Sequence, residues 1–356
     1  MHHYESRMEA LRQQLLLLNC DALLIEYPIN LLYLTGIELS TGKLLVTQQN
    51  TLLLVDGRYI EICRQHSPYA VLLLDQMPMR DWIIQNDIRR LAFESDKTSY
   101  QNFEVLNQTI QEISSENYCE LIPVKSPVEA LRMIKDPYEI ELLTQAAQLG
   151  YEGYELVASL LKEGISEEEL AFELEFFWKK RGGKKLAFDP IIAFGANGAM
   201  PHYRAGSTTL KKGMSVLIDI GVTWKHYQSD MTRVIFFGEP DPLIATIYSI
   251  VEEAKSQALL LCKPGTLIGE LDKAARLHIS SKGYGDYFTH SLGHGIGLET
   301  HEPPTLRSKG PYADVPLKAG MTITIEPGIY LPQQGGVRLE DTILITEQGY
   351  KNLTQR

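Results

Sequence analysis

The chain has 356 residues, 44% hydrophobic and 22% charged, the profile of a soluble globular protein too long for one typical core, so two domains are expected. Its net charge of −11, without any basic stripe, excludes a nucleic-acid surface, which must neutralise phosphates. No run approaches membrane-spanning length, the N-terminal stretch MHHYESRMEALRQQ carries charges where a secretory signal is apolar, and Cys20, Cys63, Cys119 and Cys262 lack disulfide or ligand spacing, so a cytoplasmic protein with no membrane partner is expected.

Over residues 5–18, Met8, Leu11, Leu15 and Leu18 recur at helical spacing. The pattern then alternates, with strands expected at 22–26, 43–47, 51–55, 70–74, 90–93 and 120–124 and helices at 57–65, 80–85 and 100–113. That rhythm indicates an α/β domain. It contains no glycine-rich phosphate loop, no HxxH and no acid cluster, and is read as structural or as a cover for a neighbouring active site. Asp56 and Arg58 in VDGRY are assigned to an Asp-Gly turn. The linker-like PVKSPVEALRMIKD puts a boundary near residue 126, giving domains 1–125 and 126–356. A long amphipathic helix is expected over 137–161, and a second to residue 180, opened by Ser166 and Glu169 as a capping box.

The second domain repeats itself. GMSVLIDIGVTWKHYQSDMT from Gly213 and GMTITIEPGIYLPQQGGVRLEDT from Gly320 begin 107 positions apart and set Asp219 and Glu326 at the same place in an apolar run. Asp230 and Glu340 each precede a threonine by two. Upstream, Lys162, Gly164, Leu170 and Gly182 recur 101 residues later as Lys263, Gly265, Leu271 and Gly283. Each half therefore reads as helix, turn, helix, glycine turn and strands, with both pairs of acids facing a central cleft. An unpaired buried carboxylate costs several kcal/mol, roughly, so four at matched positions require positive charge between them.

Four histidines gather near this cleft: His202 in GAMPHYRAG, and His290, His294 and His301 in HSLGHGIGLETHEPP. Gly293, Gly295 and Gly297 around His294 require a bend or a close backbone approach, which makes His294 the candidate ligand. Four carboxylates and one imidazole suit Mn2+, and also Co2+, Fe2+ or Zn2+. Two dications balance four carboxylates, which selects a dinuclear site; two ions roughly 3.5–4 Å apart acidify a shared water for attack on a carbonyl or phosphoryl centre.

From about residue 126 onward the chain closely resembles the pita-bread metallopeptidases: aminopeptidase P, Xaa-Pro dipeptidase (prolidase) and, more distantly, methionine aminopeptidase. The motifs that carry the likeness are IDIG with Asp219, SDMTR with Asp230, GHGIGLETHE with His294, TIEPG with Glu326 and GGVRLEDT with Glu340. The first 125 residues look like the N-terminal domain of the proline-specific members. The resemblance implies a creatinase-like α/β domain followed by an α+β pita-bread catalytic domain with an internal pseudo-twofold duplication. It implies that Asp219 chelates one metal ion, that His294 and Glu326 hold the other, and that Asp230 and Glu340 bridge the two. By the same resemblance His202 and His301 flank the scissile bond as hydrogen-bond donors, and Glu326 relays a proton to the leaving proline nitrogen. Arg338 orients a bridging acid, binds the product carboxylate or forms a salt bridge within the cluster. His290 either holds a ligand in place or packs the loop, and Tyr203 and Phe188 are candidates for a proline pocket. The resemblance also implies a homodimer in which one subunit's N-terminal domain shades the other's cleft.

The function so implied is release of the N-terminal residue from Xaa-Pro peptides. A dipeptidase has to bind the free carboxylate of proline, and Thr305, rather than an arginine, follows HEPP. That departure favours aminopeptidase P, with prolidase as the alternative and Arg307, Arg204 or Arg338 as the carboxylate's partner in that case. The metal-free creatinase-like branch and a non-catalytic binding protein both fit poorly with five intact ligand positions.

Overall fold

The computed structural model describes residues 2–113 and 118–355. It divides between Arg132 and Met133 into two units. In the first, helix α1 (His2–Leu17) leads to strand β1 (Ala22–Ile25), α2 (Pro28–Thr35), β2 (Lys43–Thr47), β3 (Thr51–Val55), α3 (Ile60–His66), β4 (Ala70–Leu73) and α4 (Met79–Gln85). Strand β5 (Arg90–Glu94), α5 (Tyr100–Gln111), β6 (Glu120–Val124) and α6 (Pro127–Arg132) complete it. The strands form one mixed sheet in the order β4-β3-β2-β1-β5-β6. Its central strand β1 is apolar on both faces and fully buried, the composition of a strand covered on both sides.

Asn30 on α2 donates to Glu94 on β5 (2.7 Å) and to Ser126 (3.1 Å), and Arg132 on α6 donates to Asn30 (3.0 Å). This buried network ties α6 to the first unit and explains why the division falls after that helix rather than near residue 126. Helix α2 was not expected; Pro28 pre-sets its first turn and Gly36 ends it at φ 74°. Asp56 pairs with Arg58 (2.7 Å) and accepts its backbone N–H (2.9 Å), a turn as expected. All four cysteines are buried and unpaired. Among the described residues, no helix is long and apolar enough to cross a membrane.

The second unit begins with α7 (Pro137–Leu160) and α8 (Glu167–Lys180), whose Ser166–Glu169 capping box is present. Short β7 (Lys185–Leu186) and β8 (Ile191–Phe194) lead to β9 (Ser215–Ile220), β10 (Val222–Trp224), β11 (Tyr227–Gln228) and β12 (Met231–Phe236). Next come α9 (Pro242–Leu259), α10 (Ile268–Ser281), β13 (Gly293–Gly295), β14 (Glu302–Leu306) and β15 (Thr322–Ile325). Strands β16 (Gly328–Leu331), β17 (Gly335–Arg338), β18 (Asp341–Thr346) and β19 (Gly349–Asn352) end the unit.

The repeat is structural. Strand β9 lies between β12 and β8, as β15 lies between β18 and β13. Ser166 bridges to Thr209, and its counterpart Leu267 bridges to Pro316. Gly164 and Gly265 share one backbone conformation, φ 88° and 89°. Helices α7 and α8 supply the apolar core around β9, with Leu149, Leu174 and Trp178 against Val216 and Ile218. Helices α9 and α10 supply that around β15, with Ile247, Val251 and Ala275 in the same core as Ile323 and Ile325. Each helix pair thus covers the outer side of its own strands.

Candidate metal centre

Strand alternation delivers the acids. On β9, Val216, Ile218 and Ile220 point into the core of the first half, so Leu217 and Asp219 take the opposite face. On β15, Ile323 and Ile325 are core, which puts Thr322, Thr324 and Glu326 on the other side. Asp230 and Glu340 sit immediately before β12 and β18, and the two are stitched together: Glu340 N–H donates to the Thr232 carbonyl (3.1 Å) and Thr342 Oγ1 to that of Asp230 (2.8 Å). Asp219, Asp230 and Glu340 are buried, at 7%, 5% and 1% exposure, so their charges have little water to solvate them.

His294 joins them from β13. A Cβ on Gly293 would overlap the Thr324 carbonyl, and one on Gly295 that of Pro303, so only glycines let the strand lie this close to β14 and β15. His294 Nδ1 lies 3.0 Å from the Gly295 carbonyl and must be the protonated nitrogen. Its Nε2 lone pair then faces Glu326 Oε1 at 3.3 Å and Asp230 Oδ2 at 3.7 Å. Three groups, Asp230, His294 and Glu340, each offer a ligand atom within 4.8 Å of the others.

A second set of residues holds the acids in place. Buried Arg338 donates to Asp219, to Thr232 Oγ1 (3.2 Å) and to the Tyr330 hydroxyl (2.8 Å); Thr232 Oγ1 donates to Glu340 (2.7 Å). His290 Nδ1 lies 2.8 Å from the Ser291 carbonyl, so its Nε2 accepts from the Tyr330 hydroxyl at 2.8 Å. The chain from His290 through Tyr330 and Arg338 to Asp219 has one consistent set of proton positions, with His290 neutral. Burial lowers its pKa to about 4.

The electrostatics call for cations. Burial, then Glu340, Asp219 and Glu326, push Asp230 well above the usual carboxylate range, and burial and Glu340 do the same to Glu326. Burial and Asp219 raise Glu340 to about 8. Burial and His301 lower His294 to about 3, keeping its lone pair free. Burial opposes the charge on Arg338, but Tyr330, Asp219 and Glu326 hold its pKa well above the ordinary value. Among the described residues, Asp219 Oδ1 and Glu340 Oε1 are buried without a hydrogen-bond donor. A lone pair facing carboxylate oxygens, together with orphaned anionic oxygens, fits divalent ions held by these five residues.

These groups line a cavity of about 680 Å3 in the second unit, with His202, His301, Phe188, Arg204 and Thr305 also on its wall. His301 packs edge-on against His294, with ring centroids 4.3 Å apart.

Comparison with known proteins decides the class. Residues 141–347 match the metallopeptidase family M24, and residues 7–134 match the creatinase/prolidase N-terminal domain. The chain belongs to metallopeptidase family M24. A Xaa-Pro dipeptidase of Pyrococcus furiosus is 38% identical over 336 residues, 94% of this chain and 93% of that protein. The solved structure of a Xaa-Pro dipeptidase from Bacillus anthracis superposes with a TM-score of 0.91 at 35% identity, covering 99% of this chain and 98% of the other. An X-Pro aminopeptidase from Thermotoga maritima gives a TM-score of 0.85 at 32% identity, covering 97% and 98%. The protein is therefore a peptidase with the pita-bread fold, in a family that uses divalent metals.

In this M24 peptidase the structure brings Asp219, Asp230, His294, Glu326 and Glu340 to one cavity, with His202 and His301 on its wall. Arg338 is in the salt bridge to the cluster rather than free. Arg307 is not on the described cavity wall, whereas Arg204 is. Phe188 lines the cavity; Tyr203 does not, and its hydroxyl instead donates to Glu167 (2.7 Å). Sequence reasoning missed Tyr330, Thr232 and Thr324, whose hydroxyls contact Arg338, Glu340 and Glu326. The signal was there for the threonines: Thr232 and Thr324 each stand two residues from an acid, the spacing that puts neighbours on one face of an extended strand.

Proposed function

We propose that the protein is a Xaa-Pro dipeptidase that holds two divalent ions, Mn2+ being the best match to an oxygen-rich set with one nitrogen. Asp219, Asp230, His294, Glu326 and Glu340 would hold the ions. The observation that carries the metal reading is the convergence of four carboxylates, three of them buried, on one cavity with a neutral imidazole, an arrangement that charge alone would drive apart. Bound there, the ions supply Lewis acidity and an acidified water.

The chain's own residues do the rest. His202 and His301 donate hydrogen bonds to the carbonyl of the scissile bond as it gains negative charge. Water oxygen bonds to that carbon, the bond to proline nitrogen breaks, and Glu326 carries a water proton to the leaving nitrogen. Thr305 pointed towards aminopeptidase P, but a cation from another loop lines the same wall. Arg204 is 65% exposed, and among the described residues its one ion-pair contact is to exposed Asp189 at 3.5 Å, which leaves it able to meet the proline carboxylate. The names of the Pyrococcus and Bacillus relatives support the same choice.

We also propose a cytoplasmic homodimer, for which the four unpaired cysteines and the family likeness are the support. A single monomeric species in light scattering would contradict the dimer. The substrate choice is tested by incubating the Mn2+-loaded protein with a Xaa-Pro dipeptide and with a Xaa-Pro-Xaa tripeptide. Preferential cleavage of the dipeptide is expected; faster cleavage of the tripeptide would assign the protein to aminopeptidase P.

A further inference from the structure

Glu167, in the first turn of α8, is fully buried at 0% exposure, yet among the described residues it has no ion pair. A carboxylate in such a place is tolerated only if fixed donors replace water. Four do. Oε1 accepts from Phe194 N–H (2.8 Å) and Asn197 Nδ2 (2.8 Å), and Oε2 from the Tyr203 hydroxyl (2.7 Å) and Gly206 N–H (3.1 Å). Asn197 Nδ2 also reaches the Tyr203 hydroxyl (2.9 Å) and Thr208 Oγ1 (3.0 Å). The Glu168 N–H closes the loop onto the Gly206 carbonyl at 3.0 Å.

Two of the four donors precede His202 in the chain and two follow it. Tyr203 turns inward to Glu167, and its neighbours His202 and Arg204, both exposed, line the cavity. The segment has no regular strand or helix between Met200 and Gly206, so these hydrogen bonds fix where the two side chains start. We infer that Glu167 is a positioning residue: its carboxylate clamps residues 194–206 to α8 and thereby sets the reach of His202 and Arg204 into the cavity. The catalytic consequence rests on the dipeptidase reading; the clamp itself does not.

Glu167→Gln keeps the volume but turns an NH2 group against donors on one side. Hydrogen exchange in residues 198–207 is expected to speed up about tenfold or more, with β9 and β12 unchanged, as one lost charge-assisted bond implies. On a Xaa-Pro dipeptide, kcat/KM is expected to fall about 10–100-fold in the wild-type background but less than about twofold in a His202→Ala/Arg204→Ala background. Equal losses in both backgrounds, or unchanged exchange in 198–207, would overturn the inference. Tyr203→Phe removes one donor only and gives the same two readouts should Glu167→Gln fail to fold. If the wild-type protein cleaves no Xaa-Pro peptide, the dipeptidase reading falls while the exchange result still decides the clamp.

Discussion

Arg204 and Arg338 show how one residue type divides its work by environment. Arg338 is 4% exposed and already serves Asp219, Thr232 and Tyr330, while Arg204 stands at the cavity wall with, among the described residues, a single 3.5 Å ion-pair contact to Asp189. Arg204→Ala is therefore expected to raise KM for a Xaa-Pro dipeptide about 10–100-fold, the worth of a charge-assisted hydrogen bond, and to leave a tripeptide nearly unaffected. Steady-state kinetics on both substrates check this. Glu94, in the first unit, titrates abnormally: burial, only partly offset by Ser126 and Asn30, raises its pKa from 4.5 to about 7. Because the folded value lies above the unfolded one, the stability it lends is full below about pH 4.5 and lost as pH rises through about 7, roughly 3 kcal/mol in all. Both hydrogen bonds to it end on Oε1, so Glu94→Gln can keep them. Denaturant titrations at saturating Mn2+ are expected to show wild type weakening between pH 5 and 8 and the variant weakening less. Asp219 and Glu326 were legible because they stand in apolar runs, where an acid is costly, Asp230 and Glu340 because the repeat sets each two residues before a threonine, and His294 because glycines flank it; Tyr330 was not, since a tyrosine in GIYLP reads as core until Arg338 and His290 are placed beside its hydroxyl.

At the level of elements, the duplication was readable because each turn needs the same backbone. Gly164 and Gly265 adopt left-handed conformations, and a Cβ on either would meet nothing within 4 Å. Gly164→Ala and Gly265→Ala are thus expected to cost similar amounts, about 1–2 kcal/mol each, from backbone strain alone. Urea unfolding of the two variants tests the equivalence; a cost in one copy only would contradict it. The sheet of the first unit was readable strand by strand, but its order β4-β3-β2-β1-β5-β6 was not, since pairing depends on contacts far apart in sequence. Helix α2 escaped for a related reason: PINLLYLT is apolar nearly all round and buried over most of its length, so it offers no polar face to set a helical period. Glu167 escaped too, as one of three glutamates opening α8, and only burial separates it from its exposed neighbour Glu168.

For the whole molecule, charge balance is the organising constraint. Counting ligands alone matches four carboxylates to two dications; including buried Arg338 leaves one positive charge over, so the loaded centre is suited to an anionic partner. Ions that bind only the folded centre also stabilise it, by about 2.7 kcal/mol at a hundred times Kd, so Mn2+ is expected to raise the melting temperature of metal-stripped protein and His294→Ala to abolish most of that rise. The most direct measurement is proline release from a Xaa-Pro dipeptide while Mn2+ is titrated into stripped protein, with bound metal counted on the same samples. Activity that rises with loading and saturates at two ions per chain is the expected result. No proline release at any metal loading would contradict the assignment.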